Sequence, residues 1–333
     1  MGVTIKDVAK EAGVSVATVS RVVNGMPNVN EEMKAQVEKA IARLGYKPNQ
    51  LAKGLKNNVT NTIGVVVTDI SDPFIIGVTR AAEKILRPEG YSLLMASTDN
   101  DEKKERECID MMDSKCVDGL IISPVSNDIA TFLKAGMYPV AAFDRNTLSH
   151  IYDTVYVDKE KAMFSAVDYL LKRGHTNIAM ISGEKKLSTN FDRYNGYLRA
   201  FFENDQVARK ENLLFGTFSR AYGMKAFKQL VTRKEAPTAV ISGSATLTEG
   251  ILIQVRKMGV RIPEDISLIS FGALSLQDLI EPQITHSKEM QEEIGTHIGE
   301  MLLSRLRTPN LPVRLKVLES NIIEGDSVKT INL

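Results

Sequence analysis

The first 25 residues of the chain hold two short runs in which apolar residues recur at helical spacing. The apolar positions are Ile5, Val8, Ala9 and Ala12 in the first run and Val19, Val22 and Val23 in the second. Thr4, with Asp7 three residues later, has the spacing of a helix cap, and Gly13 suits the left-handed turn that ends a helix. Ser15 is placed to cap the second helix. The pattern predicts a helix, a tight turn and a second helix, followed by a third helix over residues 30–44.

The outward side of the second predicted helix carries small, polar and basic side chains. They are Val16, Ala17, Ser20 and Arg21. A helix of this kind can dock in the major groove of DNA, where side chains at these positions reach base edges. The same periodicity is typical of an amphipathic helical hairpin with no role in DNA binding, so the pattern alone leaves both interpretations open.

From residue 61 the pattern changes to short apolar, β-branched runs that alternate with helical runs. The runs typical of strands are residues 62–69, 91–97, 119–123, 139–143, 178–182, 212–216, 238–242, 267–271 and 315–318. The runs typical of helices are residues 74–86, 103–114, 162–173, 194–204, 221–232, 247–258 and 294–303, with one more helix expected between residues 123 and 139. Such alternation predicts parallel sheets with crossover helices. Because the series starts again near Lys161, we expect two doubly wound sheets with a cleft between them, where ligands bind beyond the carboxyl ends of strands.

Length and charge fit a chain of several units. A length of 333 residues, with 43% hydrophobic and 25% charged residues, predicts a globular protein with two or three units. Residues 1–60 carry nine Lys and Arg against five Asp and Glu, a net charge of +4, which leaves −3 for the rest of a chain whose net charge is +1. A basic head on a mildly acidic body suits a polyanion partner for the head, although a chance fluctuation of a few charges gives the same count.

Cysteine usage and hydropathy indicate the compartment. Cys108 and Cys116 are too few for a disulfide framework and suggest a reducing environment. No apolar run approaches the ~20 residues that span a bilayer, and the N-terminal residues lack the apolar core of a signal peptide. We therefore expect a cytoplasmic protein with no membrane partner.

Reaction chemistry is not evident in the sequence. The four histidines have no metal-ligand spacing, no glycine-rich nucleotide loop is present, and no cofactor or metal is expected. The histidines are His150, His175, His286 and His297, of which His175 is expected in a turn before a strand. Ser182 and Lys185 have the S-x-x-K spacing of some acyl-transfer enzymes, but they lack its companion motifs. We predict that the protein is not an enzyme.

Two stretches carry a family resemblance. Residues 4–25 read TIKDVAKEAGVSVATVSRVVNG, and residues 45–55 read GYKPNQLAKGL. Together they closely resemble the lactose-repressor (LacI/GalR) family of bacterial transcription regulators, and the likeness continues more loosely through nearly the whole chain. The resemblance implies an all-α helix-turn-helix head with a hinge helix over residues 1–60, and an α/β bilobed, periplasmic-binding-protein-like body over residues 61–333.

The resemblance also implies how the body is divided. The chain would cross between the lobes three times, with lobe one formed by about residues 61–160 and 287–319. Lobe two would then hold about residues 161–286 and 320–333. The chain has no apolar heptad tail after its last predicted strand, so we expect a homodimer rather than a tetramer.

The family pattern assigns DNA contacts residue by residue. The candidates are Thr4, Ser15, Val16, Ala17, Ser20, Arg21, Asn24, Tyr46, Asn49 and Leu55. Arg21 is expected to read a guanine, and Val16 and Ala17 to set base preference by apolar contacts. Leu55 looks like the residue that wedges between base pairs in the minor groove; the alternative is a linker residue that covers the core of the head. Two heads on a two-fold body require a near-palindromic operator.

Effector contacts are implied at the ends of strands. The candidates are Phe74, Asp144, Arg145, Tyr156, Arg193, Phe218 and Gly272. Asp144 and Arg145 match the family's F-D-R, which holds sugar hydroxyls, and Arg193 matches its R-x-x-G-Y, where a guanidinium grips hydroxyls or an anion. The alternative for each candidate is core packing or a surface ion pair.

Two departures from the family pattern bear on the ligand. Ser244 and Ala245 stand where the family usually has Asn-Asp, and Gly272 stands where it has the first Asp of G-F-D. Carboxylates that accept hydrogen bonds from sugar hydroxyls are lost, while Lys185, Lys186 and Arg220 lie in nearby loops. We predict a positive pocket and an anionic effector, a sugar phosphate or sugar acid. The alternative is solvated lysines and a pocket of changed specificity.

The sequence thus predicts a DNA-binding regulator, most consistent with a repressor of carbohydrate-use genes that is controlled allosterically by a carbohydrate-derived effector. One alternative is a sugar-binding or sugar-modifying protein whose head serves assembly. Another is a catabolite regulator controlled by a protein co-effector, which Glu300 and Gly325 disfavour because that branch of the family has arginine at such positions.

Overall fold

The computed structural model describes residues 3–24, 26–27, 29–46, 59–126, 128–133, 136–185 and 188–331. The chain forms two compact units, Met1–Thr60 and Asn61–Leu333. Within the described ranges, no helix is long and apolar enough to cross a bilayer.

The first unit is built from three helices, α1 (Ile5–Ala12), α2 (Val16–Val23) and α3 (Glu31–Leu44). Their buried apolar side chains form one small core: Val8, Ala9, Val19, Val37 and Ala40. The predicted helix signals are present: the Asp7 carboxylate accepts hydrogen bonds from the N–H and hydroxyl of Thr4 at 2.8 and 2.7 Å. Gly13 ends α1 at φ 65°, and the Ser15 hydroxyl accepts the Thr18 N–H at 3.1 Å.

The second unit alternates strands and helices. Its first half contains β1 (Thr62–Val67), α4 (Pro73–Leu86), β2 (Ser92–Ser97), α5 (Glu102–Ser114), β3 (Gly119–Ile122), β4 (Val140–Phe143), β5 (Asp153–Val157) and α6 (Lys159–Leu171). Its second half contains β6 (Ile178–Ser182), α7 (Ser188–Glu203), β7 (Leu213–Phe215), α8 (Arg220–Val231), β8 (Ala239–Ser242), α9 (Ala245–Met258), β9 (Ser267–Phe271), β10 (Thr285–Ser287), α10 (Gln291–Arg307), β11 (Leu315–Leu318) and β12 (Ile322–Ile323).

The strands form two six-stranded sheets, and each sheet defines a lobe. Lobe one has the order β11-β5-β4-β3-β1-β2, and lobe two has the order β12-β10-β9-β8-β6-β7. All pairs are parallel except the short antiparallel pair of β10 with β12. The predicted fold class, a helix-turn-helix head with two doubly wound sheets, is confirmed.

Strand β1 shows why the strand sequences are almost wholly apolar. Ile63, Val65 and Val67 pack against α4 and α10, whereas Val66 packs on the opposite face with α5. Because alternate side chains point to opposite faces and helices cover both, every position of the strand after Thr62 is buried.

The chain passes between the two sheets three times. The crossings lie between β5 and α6, between β10 and α10, and between β11 and β12. Lobe one therefore combines strands β1 to β5 with the later elements α10 and β11.

One predicted helix was wrong, and three strands were missed. Between residues 123 and 139 the described residues form only a short 3-10 turn, Ile129–Thr131, instead of a helix. The strands β5, β10 and β12 were not predicted. These strands are short, and β5 and β10 carry polar residues, so pairing with neighbouring strands stabilises them rather than an apolar run of their own.

A buried ion-pair network fixes the edge of lobe one. Asp153 begins β5 with no solvent exposure, and its carboxylate accepts hydrogen bonds from the guanidinium groups of Arg305 and Arg314, at 2.7 and 2.6 Å. The backbone N–H of Arg314 donates a further bond at 2.9 Å. One carboxylate thereby joins β5 to α10 and to the segment that leads into β11.

In lobe two, His175 lies in the turn before β6, as predicted, and is fully buried. Its Nε2 donates to the Lys329 carbonyl oxygen, and its Nδ1 lies 2.9 Å from the Thr238 hydroxyl. Burial lowers the pKa of His175, so the ring is neutral at neutral pH. Its hydrogen bond to Lys329 attaches the last described residues to lobe two.

Candidate functional site

The surface of α2 matches the predicted outward face in part. Val16 is 42% exposed, Ala17 and Arg21 are exposed, and Ser20 is half-buried. Arg21 has no ion pair among the residues that the structure describes. An exposed guanidinium beside small side chains can approach a base edge or a phosphate.

The other candidates for DNA contact have structural partners within the head. The Asn24 amide donates to the Ser20 carbonyl oxygen at 2.7 Å, and Tyr46 packs against the head core. Thr4 and Ser15 are exposed at the starts of α1 and α2, where phosphate oxygens bind most readily. Asn49, Leu55 and the predicted hinge helix lie outside the described residues.

A cavity of ≈ 390 Å³ lies between the two sheets of the second unit. On the lobe-one side it is lined by residues that follow strands, including Thr68 after β1, Asn100 after β2 and Asp144 after β4. On the lobe-two side Gly216 and Gly243 follow β7 and β8. The cavity therefore lies where parallel sheets bind ligands, and its volume suits a small molecule.

Six of the seven predicted effector residues line this cavity: Phe74, Asp144, Arg145, Arg193, Phe218 and Gly272. The seventh, Tyr156, is not among the lining residues. Its neighbour Val157 lines the cavity, and successive side chains of β5 point to opposite faces of the sheet.

Asp144 has a cation of its own. The Lys159 ammonium lies 2.8 Å from the Asp144 carboxylate and 2.7 Å from its carbonyl oxygen. Burial favours the neutral acid, but the charges of Lys159 and Arg145 outweigh it and lower the pKa of Asp144. Sequence reasoning missed Lys159, because a lysine at a helix start is usually solvated, whereas this one is 8% exposed.

Arg193 lacks hydrogen-bond partners for part of its guanidinium. It is 8% exposed, and its Nη1 donates long bonds of 3.3 Å to the Thr189 carbonyl oxygen and to the Asn190 amide oxygen. Its Nε has no partner, and no carboxylate pairs with it within the described part of the chain. The guanidinium carbon lies 5.0 and 5.9 Å from the ring centres of Phe271 and Phe218.

Burial lowers the pKa of Arg193 to about 10, so the group stays charged at neutral pH. A buried guanidinium with an unpaired N–H is costly unless a ligand supplies an acceptor. Arg193 therefore indicates a ligand with an oxygen or another acceptor at this point.

Two of the three cations predicted to make the cavity positive lie outside its lining. Lys185 and Arg220 are not among its lining residues: the Lys185 ammonium lies 4.7 Å from the Phe215 ring centre, and Arg220 pairs with Glu249. Lys186 lies outside the described residues. The lining residues include six acids, Asp69, Asp72, Asp99, Asp144, Glu184 and Glu289, and four bases, Arg145, Lys159, Arg193 and Lys288. Among the described lining residues acids outnumber bases, so this lining gives no support to the predicted positive cavity or to an anionic effector.

A metal site is not formed by the residues that the structure describes, since no three of their His, Cys, Asp and Glu side chains could hold one ion together.

Comparisons with known proteins agree with this architecture. Residues 4–49 match the lacI family of bacterial regulatory proteins, and residues 167–328 match the periplasmic binding protein-like domain. The HTH-type transcriptional repressor PurR of Vibrio atlanticus is 32% identical over 99% of both chains. Catabolite control protein A of Priestia megaterium is 35% identical over 89% of this chain and 90% of its own.

A crystal structure of the lac repressor dimer bound to operator and the anti-inducer ONPF has the same fold, with a TM-score of 0.87 at 22% identity over 99% of this chain and 100% of that one. The matching family consists of regulatory proteins, and PurR is a transcriptional repressor, which confirms the prediction of a non-enzymatic function. The chain therefore belongs to the LacI family of bacterial regulatory proteins and is a DNA-binding transcriptional regulator.

Proposed function

We propose that this protein is a homodimeric repressor in the cytoplasm. Its two heads bind a near-palindromic operator, and a small carbohydrate-derived effector in the cavity between the lobes controls that binding. The genes it represses serve carbohydrate use. The observation that carries the proposal is Arg193, a buried charge with an unpaired N–H in a cavity of ligand size.

The head supports the DNA-binding part of this proposal. Arg21 is exposed on α2 beside Val16 and Ala17, so a guanidinium and two small apolar groups are presented together. A guanidinium can donate two hydrogen bonds to a guanine, and small apolar groups contact thymine methyls. The net charge of +4 over residues 1–60 favours approach to phosphates.

The cavity supports the effector part. Phe74 and Phe218 give apolar walls, while Asp144 and Arg193 give polar groups on opposite lobes. Rings that flank a few polar groups are typical of sites for small polar molecules such as monosaccharides. A ligand that contacts both lobes stabilises one arrangement of the lobes, and this differential binding can alter the operator affinity.

Gly325 and Glu300 give no support to a protein co-effector of the kind that binds arginines. A Cβ at Gly325 would lie 2.4 Å from the Gln283 carbonyl oxygen, so a larger side chain does not fit there without a shift. Glu300 is exposed on α10 with the His297 ring 3.6 Å away.

Arg193→Ala tests the effector site. The wild-type protein is screened by thermal shift and by operator retention against monosaccharides, amino sugars, sugar acids and sugar phosphates. We expect the active compound to lose at least about 10-fold in affinity in Arg193→Ala, because a charged hydrogen bond is worth about 1.5–3 kcal/mol. Operator affinity without ligand should stay unchanged.

Arg220→Ala is the matched control, since this arginine is exposed, pairs with Glu249 and lies outside the cavity lining. It should respond to the ligand as the wild type does. A response of Arg193→Ala that equals the wild-type response would show that the cavity is not the effector site.

A further inference from the structure

Glu289 occupies the space that a side chain at position 272 would fill. Gly272 has a left-handed backbone, at φ +90°, and a Cβ built there would lie 2.3 Å from Oε1 of Glu289. Both residues line the cavity, and Glu289 belongs to the crossing between β10 and α10. The family has an aspartate where this chain has Gly272. The carboxylate of Glu289, from a different segment, therefore occupies the place of the aspartate that this chain lacks.

A second carboxylate without a cation lines the same cavity. Asp72 caps α4, where one of its oxygens accepts the Phe74 N–H at 2.9 Å. Neither Asp72 nor Glu289 has an ion pair within the described ranges. Two other acids in the lining of lobe one do have cations, since Asp144 pairs with Lys159 and Asp99 pairs with Lys104, whereas Asp69 accepts hydrogen bonds from the N–H and hydroxyl of Ser71.

The cavity thus has two kinds of polar group without a partner. Asp72 and Glu289 are acceptors with no positive partner, whereas Arg193 is a donor that is 92% buried, since it is 8% exposed, and lacks a partner at Nε. The Nε of Arg145, which is 5% exposed, also lacks one. A ligand that pairs with both kinds of group carries positive charge on one part and oxygen acceptors on another.

We propose that Asp72 and Glu289 form a subsite for a protonated amine of the effector, and that the effector is an amino sugar whose oxygen atoms accept hydrogen bonds from Arg193. This inference rests on the proposed function, because it names the ligand class of the same cavity. A neutral hydroxyl can donate one hydrogen bond to either acid, but it brings no charge to offset the two carboxylates when both are ionised.

The titration of the two acids agrees with this ligand class. Burial and then the charge of Asp72 raise the pKa of Glu289 to about 7, against a hydrogen bond from Gln291. Burial, with the charges of Asp144 and Asp69, raises the pKa of Asp72 to about 6, against the Phe74 N–H and Arg193. Lys288 lines the same cavity but pairs with Glu293 at 3.5 Å. Amine binding requires the ionised acids, so its affinity should increase as the pH rises through about 6 to 7.

The experiment measures ligand binding to the full-length protein by calorimetry and thermal shift. The probes are glucosamine, galactosamine and mannosamine, their parent hexoses, gluconate, glucose 6-phosphate and magnesium chloride. We expect a hexosamine to bind and its parent hexose to bind at least about 10-fold more weakly. Glu289→Gln and Asp72→Asn should each weaken hexosamine binding by about 10-fold, and the amide oxygen introduced by Asp72→Asn can still cap α4.

Glu292→Gln is the control, since Glu292 lies in the first turn of α10, pairs with Lys84, and neither residue of that pair is among the cavity-lining residues. It should bind the hexosamine like the wild type. The inference is overturned if no hexosamine binds, if Glu289→Gln binds it unchanged, or if gluconate, glucose 6-phosphate or magnesium binds more tightly. If gluconate or glucose 6-phosphate binds and Arg193→Ala abolishes that binding, the proposed function stands and only the amine subsite is wrong. If Arg193→Ala alters the binding of no probe, the proposed function fails as well.

Discussion

Arg21→Ala is expected to remove most of the protein's preference for its operator and to leave its weak binding to other DNA. A bidentate contact to guanine discriminates against wrong bases by about 1–3 kcal/mol, so the ratio of specific to nonspecific affinity should fall about 10- to 100-fold. The measurement is gel retardation over a range of salt concentrations, on a palindromic duplex that the wild-type protein selects from a random pool. The slope of affinity against salt should change little, because phosphate contacts set it.

Arg43→Ala is the matched control in the head. Arg43 is an exposed arginine of α3 that pairs with Glu11 of α1 at 2.7 Å, so it has a role within the head that Arg21 lacks. Its loss removes the same charge but should keep the operator preference. Equal losses of preference in both variants would mean that net charge, and not contact with a base, explains the effect of Arg21.

Asp153→Ala should cause the largest loss of stability that we predict for the body. The substitution leaves Arg305 and Arg314 without their shared carboxylate, at a position with no solvent exposure. Breaking a buried ion pair by removal of one partner costs about 3–5 kcal/mol. Urea unfolding followed by circular dichroism at neutral pH should show a lower midpoint for the variant than for the wild type.

The pH dependence has a defined sign. Burial opposes ionisation of Asp153, but the hydrogen bonds from Arg305 and Arg314 prevail and lower its pKa. Its contribution to stability is therefore present above the ordinary aspartate pKa and is lost as the pH falls through the lowered value. Asp265→Ala is the control, because Asp265 forms an exposed pair with Arg261 and should leave the midpoint nearly unchanged. A similar midpoint for Asp153→Ala and the wild type would show that the network does not stabilise lobe one.

Most of the fold is encoded in local pattern, and the exceptions have a physical reason. The strands β1 and β6 are apolar because both of their faces are buried, so their sequences alone identify them. The short strands β5 and β10 depend on pairing with residues far along the chain. A local pattern contains no signal for such pairing.

The residues of the candidate site likewise fall into those that the sequence could predict and those that it could not. Asp144 follows strand β4 and Arg193 lies in helix α7, and both belong to motifs of the family, so sequence resemblance placed them at the cavity. Glu289 and Lys159 became visible only in three dimensions, because each occupies space beside a residue distant in the chain. Loops that carry charge, such as that of Lys185, led to a prediction of the cavity's potential that its described lining does not support, since adjacency in sequence does not show where an ammonium group points.

The three crossings have a consequence for the order in which the protein is made. Ile63 of β1 shares its core with Ile294 and Leu302 of α10 and with Leu318 of β11, so lobe one needs both early and late parts of the chain. During synthesis on the ribosome, one face of the earliest strands of the body stays uncovered until these last elements emerge. A polypeptide that stops before α10 therefore exposes apolar surface to chaperones and proteases. We expect such a truncated chain to be degraded, so that it does not persist as a DNA-binding protein without effector control.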